Sequence, residues 1–282
     1  MAHTVGSPDV RIGLIDGPVL GEHPHLQDAR LRPVCSRAAA TCAIAASSAC
    51  LHGTFIAGML AAKSGSGAPS ICPGCTLLVR PIFAEAAASR DHMPSATPLH
   101  LAAAIVDCIG AGAQIINLSL GLARPSCAGD RALEHALYYA LKRNVLVIAA
   151  AGNQGTLGSS AITRHPWIIP VMACDLDGRP IEESNLGSSI GRRGLRAPGD
   201  NIASLGTDGR PRTLSGTSVA VPFVTGAAAL LWSEFPSATA AEVKLAITQA
   251  GKPRQNAIVP PLLDAIAAYQ ALSGSKLRRK AA

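Results

Sequence analysis

The chain is poor in charge and poorer in aromatics. Of its 282 residues, 15% are Asp, Glu, Lys or Arg and 3% are Phe, Trp or Tyr. So few rings cannot interleave with basic residues to stack bases, which argues against a nucleic-acid partner. A core for a chain that is 48% hydrophobic must then be built from Ala, Val, Leu and Ile. That suits helices packed on a buried parallel sheet.

Long apolar runs are also missing. The longest, residues 219–232, is interrupted by Pro222, Thr225 and Gly226. It is too short and too broken to span a bilayer, so no membrane partner is expected. The first ten residues, MAHTVGSPDV, are polar and show no secretory pattern. The expectation is a soluble cytoplasmic protein. No linker, repeat or low-complexity stretch divides the chain. The reading is one domain over residues 1–273 and a basic flexible tail over residues 274–282. The net charge of +7 is scattered apart from Arg192-Arg193 and that tail, so it reads as a solvated surface.

Eight cysteines are present. An even count suits disulfides, while the absent signal argues for reduced thiols. Local pairing among Cys35, Cys42 and Cys50 stays open. Cys72-Pro-Gly-Cys75 has the spacing of a metal knuckle or a redox pair. A second such pair is absent, so no metal site is assigned.

Apolar runs at residues 10–15, 76–82, 114–120, 145–151 and 168–173 read as buried strands. Helical spacing marks residues 52–63, 99–110, 130–143, 218–234 and 240–250. Strands alternating with helices indicate an α/β fold: a three-layer, doubly wound, mostly parallel sheet. In such sheets functional groups collect at the carboxyl ends of strands.

Asp16 and Asn153 each follow an apolar strand, and His52 and Ser218 each open a helix. A serine hydroxyl becomes a useful nucleophile when a histidine removes its proton. A carboxylate holds that imidazole in the required tautomer. An asparagine amide and a backbone N–H at a helix N-terminus suit an oxyanion. Singly, each residue has a plainer reading: Asp16 as a turn cap, His52 as a helix cap, Asn153 as a left-handed turn, Ser218 as one serine among many.

The words around them decide between these readings. They are Ile12-Gly-Leu-Ile-Asp-Gly17 with His23-Pro24-His25-Leu26, His52-Gly-Thr-Phe-Ile-Ala-Gly58, and Ile115-Ile-Asn-Leu-Ser-Leu-Gly121. Ala149-Ala-Ala-Gly-Asn153, Ala197-Pro-Gly199 and Gly216-Thr-Ser-Val-Ala-Val-Pro222 follow. Six words in this order resemble the subtilisin-like serine proteases, over residues 10–235. HGTFIAG and ICPGCTLLVRPIF further resemble the branch that cleaves precursors of cyanobactin-type ribosomal peptides. No GxSxG elbow surrounds Ser218 and no dinucleotide or phosphate loop follows the first strand.

The resemblance implies a serine endopeptidase with catalytic Asp16, His52 and Ser218 and oxyanion residue Asn153. It implies a peptide or protein substrate lying along Ser119, Leu120 and Gly121, with Ala150, Ala151 and Gly152 as the opposite pocket wall. Arg164, in the segment resembling the pocket floor, reads first as a solvent-facing residue; the sharper alternative is that it favours an acidic residue before the scissile bond through charge-assisted pairing. No cofactor is implied. No segment matches the family's tight calcium loop, which leaves structural calcium open. The alternative is a catalytically silent relative that binds peptides. Three departures stand out. Gly17 replaces a usual Ser or Thr after the aspartate, and Phe55 and Phe223 replace common histidines.

Overall fold

The computed structural model describes residues 4–85, 96–120, 130–250 and 258–280. In chain order the elements are β1 Arg11–Asp16, β2 Arg30–Pro33, α1 Arg37–Ala40, α2 Ser48–Ala61 and β3 Thr76–Pro81. Next come α3 Pro98–Gly110, β4 Ile115–Leu118, α4 Arg131–Lys142, β5 Leu146–Ala150, α5 Ala161–Arg164 and β6 Ile169–Cys174. The last are α6 Ser188–Arg193, β7 Leu195–Pro198, β8 Ile202–Leu205, β9 Pro211–Leu214, α7 Thr217–Glu234, α8 Ala240–Gln249 and α9 Ala265–Lys280.

Seven strands form one sheet in the order β2-β3-β1-β4-β5-β6-β7, and every pairing in it is parallel. β8 and β9 make a separate antiparallel pair. The interior strands β1, β4, β5 and β6 are buried almost throughout, as unbroken apolar runs demand. From β1 the chain winds left to β3 through α2. It then winds right through α3 and α4. Right-handed crossovers therefore put α2 on one face and α3 with α4 on the other. α7 packs with α2 and against β4, β5, β6 and β7. Apolar on nearly every side, it is the buried helix of that face.

Winding direction reverses between β1 and β4, and at such a switch point open parallel sheets carry their sites at the carboxyl ends of the strands. Asp16 ends β1 and Ser119 follows β4 at that edge.

Two element ends differ from the sequence reading: the start of α2, and the end of the chain, where α9 runs through Lys280 across the expected flexible tail. α2 begins at Ser48, four residues before His52, because buried Ser47 caps it by accepting from the Cys50 N–H at 3.1 Å. The Ala-rich stretch ahead of His52 hid this start. Cys42 and Cys50 are joined as a disulfide, one of the local pairings that the sequence leaves open. Cys35, Cys72, Cys75, Cys108 and Cys174 are free thiols; Cys127 lies outside the described residues. Cys72 and Cys75 are both buried. Among the described residues, no helix is long and apolar enough to cross a membrane.

Candidate active site

The cleft gathers Asp16, His52 and Ser218 from positions far apart in the chain. His52 Nδ1 donates to Asp16 Oδ1 at 2.7 Å. Ser218 Oγ stands 3.2 Å from His52 Nε2. With Nδ1–H held by the carboxylate, Nε2 carries the lone pair that can take the serine proton. Burial works against a charged imidazole. The charge of Asp16 and its hydrogen bond outweigh it, so the His52 pKa is raised. Asp16 Oδ1 also accepts from the Gly17 N–H at 2.7 Å, while its buried Oδ2 has no partner.

Gly17 is a steric necessity. A Cβ there would lie 1.9 Å from the Ala49 carbonyl oxygen in the first turn of α2. Reciprocally, a Cβ on Gly53 would lie 2.4 Å from the Pro18 oxygen and 2.5 Å from the Gly17 oxygen. The turn after Asp16 and the turn carrying His52 therefore meet backbone to backbone. The two glycines that follow the two reactive residues allow it.

The serine end is organised by Pro222. Proline has no N–H, so inside α7 it leaves the Ser218 carbonyl without its helical donor. Ser119 Oγ supplies one at 2.8 Å. Ser119 Oγ in turn accepts from Asn117 Nδ2 at 2.8 Å, and Asn117 Oδ1 accepts from Thr225 Oγ1 at 2.8 Å. A buried relay thus joins α7 to the end of β4. The Ser119 side chain points into this relay rather than into the cleft; its backbone stays at the sheet edge.

Asn153 is fixed by Thr217. Its Oδ1 accepts from the Thr217 N–H at 2.8 Å and from Thr217 Oγ1 at 2.7 Å. Tying down the carbonyl end leaves Nδ2 as the donor end, beside Gly216. A Cβ on Gly216 would come within 2.7 Å of Nδ2. Gly216 also has φ of 133°, a conformation that favours glycine. The Gly152 N–H donates to Thr217 Oγ1 at 3.2 Å. Asn185 secures the other side of the same loop: its Oδ1 accepts from the N–H groups of Gln154 and Thr156, both at 3.1 Å.

Of the sequence-predicted residues, Asp16, His52, Ser218, Asn153, Ser119, Ala150, Ala151 and Gly152 converge here. Leu120 lies next to them and is buried. Gly121 lies outside the described residues. Arg164 is a correction. Trp167, three residues on, donates through Nε1 to the Val145 carbonyl at 2.7 Å, ahead of the start of β5. Arg193, just before β7, donates to the Arg164 carbonyl at 2.8 Å. Arg164 therefore sits at the amino-terminal edge of the sheet, while Asn153 is at the carboxyl edge. Five residues of β5 separate the edges, about 16 Å at strand rise. The reason is α5. Capped by Ser160, it carries the chain down toward the start of β6 instead of under the cleft.

Sequence reasoning missed Thr217, Asn117, Thr225 and Asn185. The first was available, because Pro222 and Thr217 share a word with Ser218. The others needed the fold.

A parallel, doubly wound sheet that carries Asp, His and Ser in this chain order at one switch point defines the subtilisin-like class of serine hydrolases. Residues 7–262 match the model of the subtilase family, and the chain belongs to that family. A thermostable alkaline protease of Halalkalibacterium halodurans is 34% identical over 199 residues, 70% of this chain and 51% of that protein. The chain spans about half the length of such curated relatives. Several solved structures match nearly end to end, two of which follow. The protease domain of PatA is 33% identical with a TM-score of 0.86, covering 98% of this chain and 99% of that one. The prenylagaramide maturation protease PagA is 30% identical with a TM-score of 0.84, covering 96% of each.

Proposed function

We propose that the protein is a serine endopeptidase that cuts a ribosomally made precursor peptide through an acyl-enzyme. The observation that carries this is the unbroken line from Asp16 Oδ1 through His52 to Ser218 Oγ, with spacings of 2.7 and 3.2 Å. PagA is a prenylagaramide maturation protease and PatA a patellamide maturation protease, and likeness to both over nearly the whole chain supports the substrate class.

In this reading Ser218 Oγ attacks the scissile carbonyl as His52 Nε2 takes its proton. His52 then returns that proton to the departing amine, and water repeats the sequence on the ester. Asp16 keeps the imidazole oriented and stabilises its charged form. Asn153 Nδ2 and the Ser218 N–H receive the oxyanion. The substrate backbone pairs with the edge at Ser119 and Leu120, and its side chain enters between that edge and Ala150 to Gly152. No cofactor is needed for any step.

The test is cleavage of a defined precursor peptide by purified protein, with mass spectrometry of the products. A serine-directed fluorophosphonate probe is run in parallel. Wild type is expected to cleave at a discrete site and to label, and Ser218→Ala to do neither. Labelling that survives in Ser218→Ala overturns the nucleophile assignment. Labelling without cleavage of any peptide overturns the endopeptidase reading.

A further inference from the structure

Cys42, Cys50 and Glu85 form a group that the proposed catalysis does not use. The disulfide joins residues eight apart, with Cα atoms separated by 5.6 Å. It ties the chain ahead of α2 to the first turn of that helix, two residues before His52. Glu85 approaches from beyond β3. Its carboxylate accepts from the N–H groups of Ala43 at 2.8 Å and Ile44 at 2.9 Å, and from Ser47 Oγ at 3.3 Å. An ionised carboxylate offers about four lone-pair positions, so one is still open. Both sulfurs and a Glu85 oxygen lie within 4.8 Å of one another.

The disulfide opens when two small-molecule thiols donate two electrons and two protons. The S–S bond breaks, Cys42 and Cys50 become thiols, and the donors leave as their own disulfide. Two sulfurs and a carboxylate oxygen then face one point. Tetrahedral zinc, with Zn–S of about 2.3 Å, needs its sulfurs about 3.8 Å apart. The Cα separation of 5.6 Å lets side-chain rotation supply that spacing. Binding releases the two thiol protons, and water completes four ligands. A closed structural site would have four protein ligands; three make this one exchangeable.

We propose that Cys42, Cys50 and Glu85 form a staple with two exclusive states: a disulfide in the oxidised protein and a thiophilic divalent-cation site of the zinc type in the reduced protein. In both states the segment around residue 42 stays tied to the helix that carries His52. Reduction alone, with no cation, removes this tie between residue 42 and the helix and leaves the hydrogen bonds of Glu85 to Ala43 and Ile44.

Cobalt(II) is the probe, since thiolate ligation gives it a near-ultraviolet charge-transfer band. Full-length Ser218→Ala protein, which should not digest itself, is reduced with dithiothreitol. It is then desalted anaerobically and titrated with Co²⁺. The expected result is a thiolate band that saturates at one equivalent and is absent from the oxidised protein. Cys50→Ser and Cys42→Ala should each lose it, and Cys72→Ser should keep it. Glu85→Gln should weaken Co²⁺ binding about tenfold or more. A reduced protein without the band overturns the proposal. So does a band that survives Cys50→Ser or Cys42→Ala, or one lost in Cys72→Ser, which would place the ion on the Cys72–Cys75 pair. Circular dichroism of each variant before Co²⁺ is added separates loss of the site from loss of the fold.

Discussion

Ser119→Ala tests how the nucleophile is held. The substitution keeps the backbone that is proposed to pair with substrate and removes one hydroxyl. Two buried groups then lose a partner: the Ser218 carbonyl, orphaned by Pro222, and Asn117 Nδ2. An unsatisfied buried polar group costs about 1–3 kcal/mol, so the pair costs about 2–6 kcal/mol. At about 2–4 °C per kcal/mol for a large domain, thermal unfolding should fall by roughly 4–24 °C. Measuring this in Ser218→Ala protein avoids self-digestion and leaves the carbonyl in place. The decisive comparison is a double-mutant cycle with Pro222→Ala, which returns an N–H to the helix beneath the Ser218 carbonyl. In that background Ser119→Ala should lose only the Asn117 share, so the two changes should couple by about 1–3 kcal/mol. In the active enzyme, Ser119→Ala should lower kcat more than it raises KM, because the nucleophile's residue is loosened. Strict additivity in the cycle would refute the claim that Ser119 stands in for the proline's missing donor.

Four further outcomes follow from the same geometry. Asn153→Ala should reduce kcat by about 10²–10³, and it should also lower stability by about 1–3 kcal/mol or more because buried Thr217 loses its acceptor; a kcat loss below about threefold would contradict the oxyanion role. Gly17→Ala should destabilise by about 1–3 kcal/mol or more, because its Cβ has no room against Ala49; an unchanged melting temperature would exclude the interlock. His52 must be neutral to act as base and its pKa is raised, so activity should fall as pH drops through a midpoint above 6.5. Its contribution to folding has the opposite sense: present below 6.5 and lost as pH rises through the raised value. Chemical denaturation of Ser218→Ala protein across this range checks it. Arg164→Ala should leave the preferred residue before the scissile bond unchanged in peptide-library profiling, given its place at the far edge of the sheet.

The strands and the reactive residues were legible because each catalytic group stands beside a buried apolar run and within a short distinctive word. The sheet order was legible only as a class, since parallel pairing is decided by crossovers and not by any local signal. β2, with one half-buried and three exposed positions, carries no apolar pattern to find. Arg164 was misplaced because the segment resembles a pocket floor in composition. Its direction was set by the Ser160–Thr163 capping box, which turns it into a helix. Asn117 and Thr225 look like ordinary polar residues in apolar surroundings. Only the crossing of α7 over β4 shows that they satisfy one another, at 2.8 Å.

The glycine contact between the turns after Asp16 and around His52 bears on how such a protein can diversify. Side chains in a core can be exchanged and re-packed, and the elements they separate drift by fractions of an ångström as they change. Where Gly17 faces Ala49 and Gly53 faces Pro18, no side chain intervenes. The spacing is fixed by main-chain radii, which no nearby substitution alters. Mutations accumulating in the core therefore leave the carboxylate-to-imidazole distance where it is. Variation is directed to positions that do not set the spacing of the reacting pair.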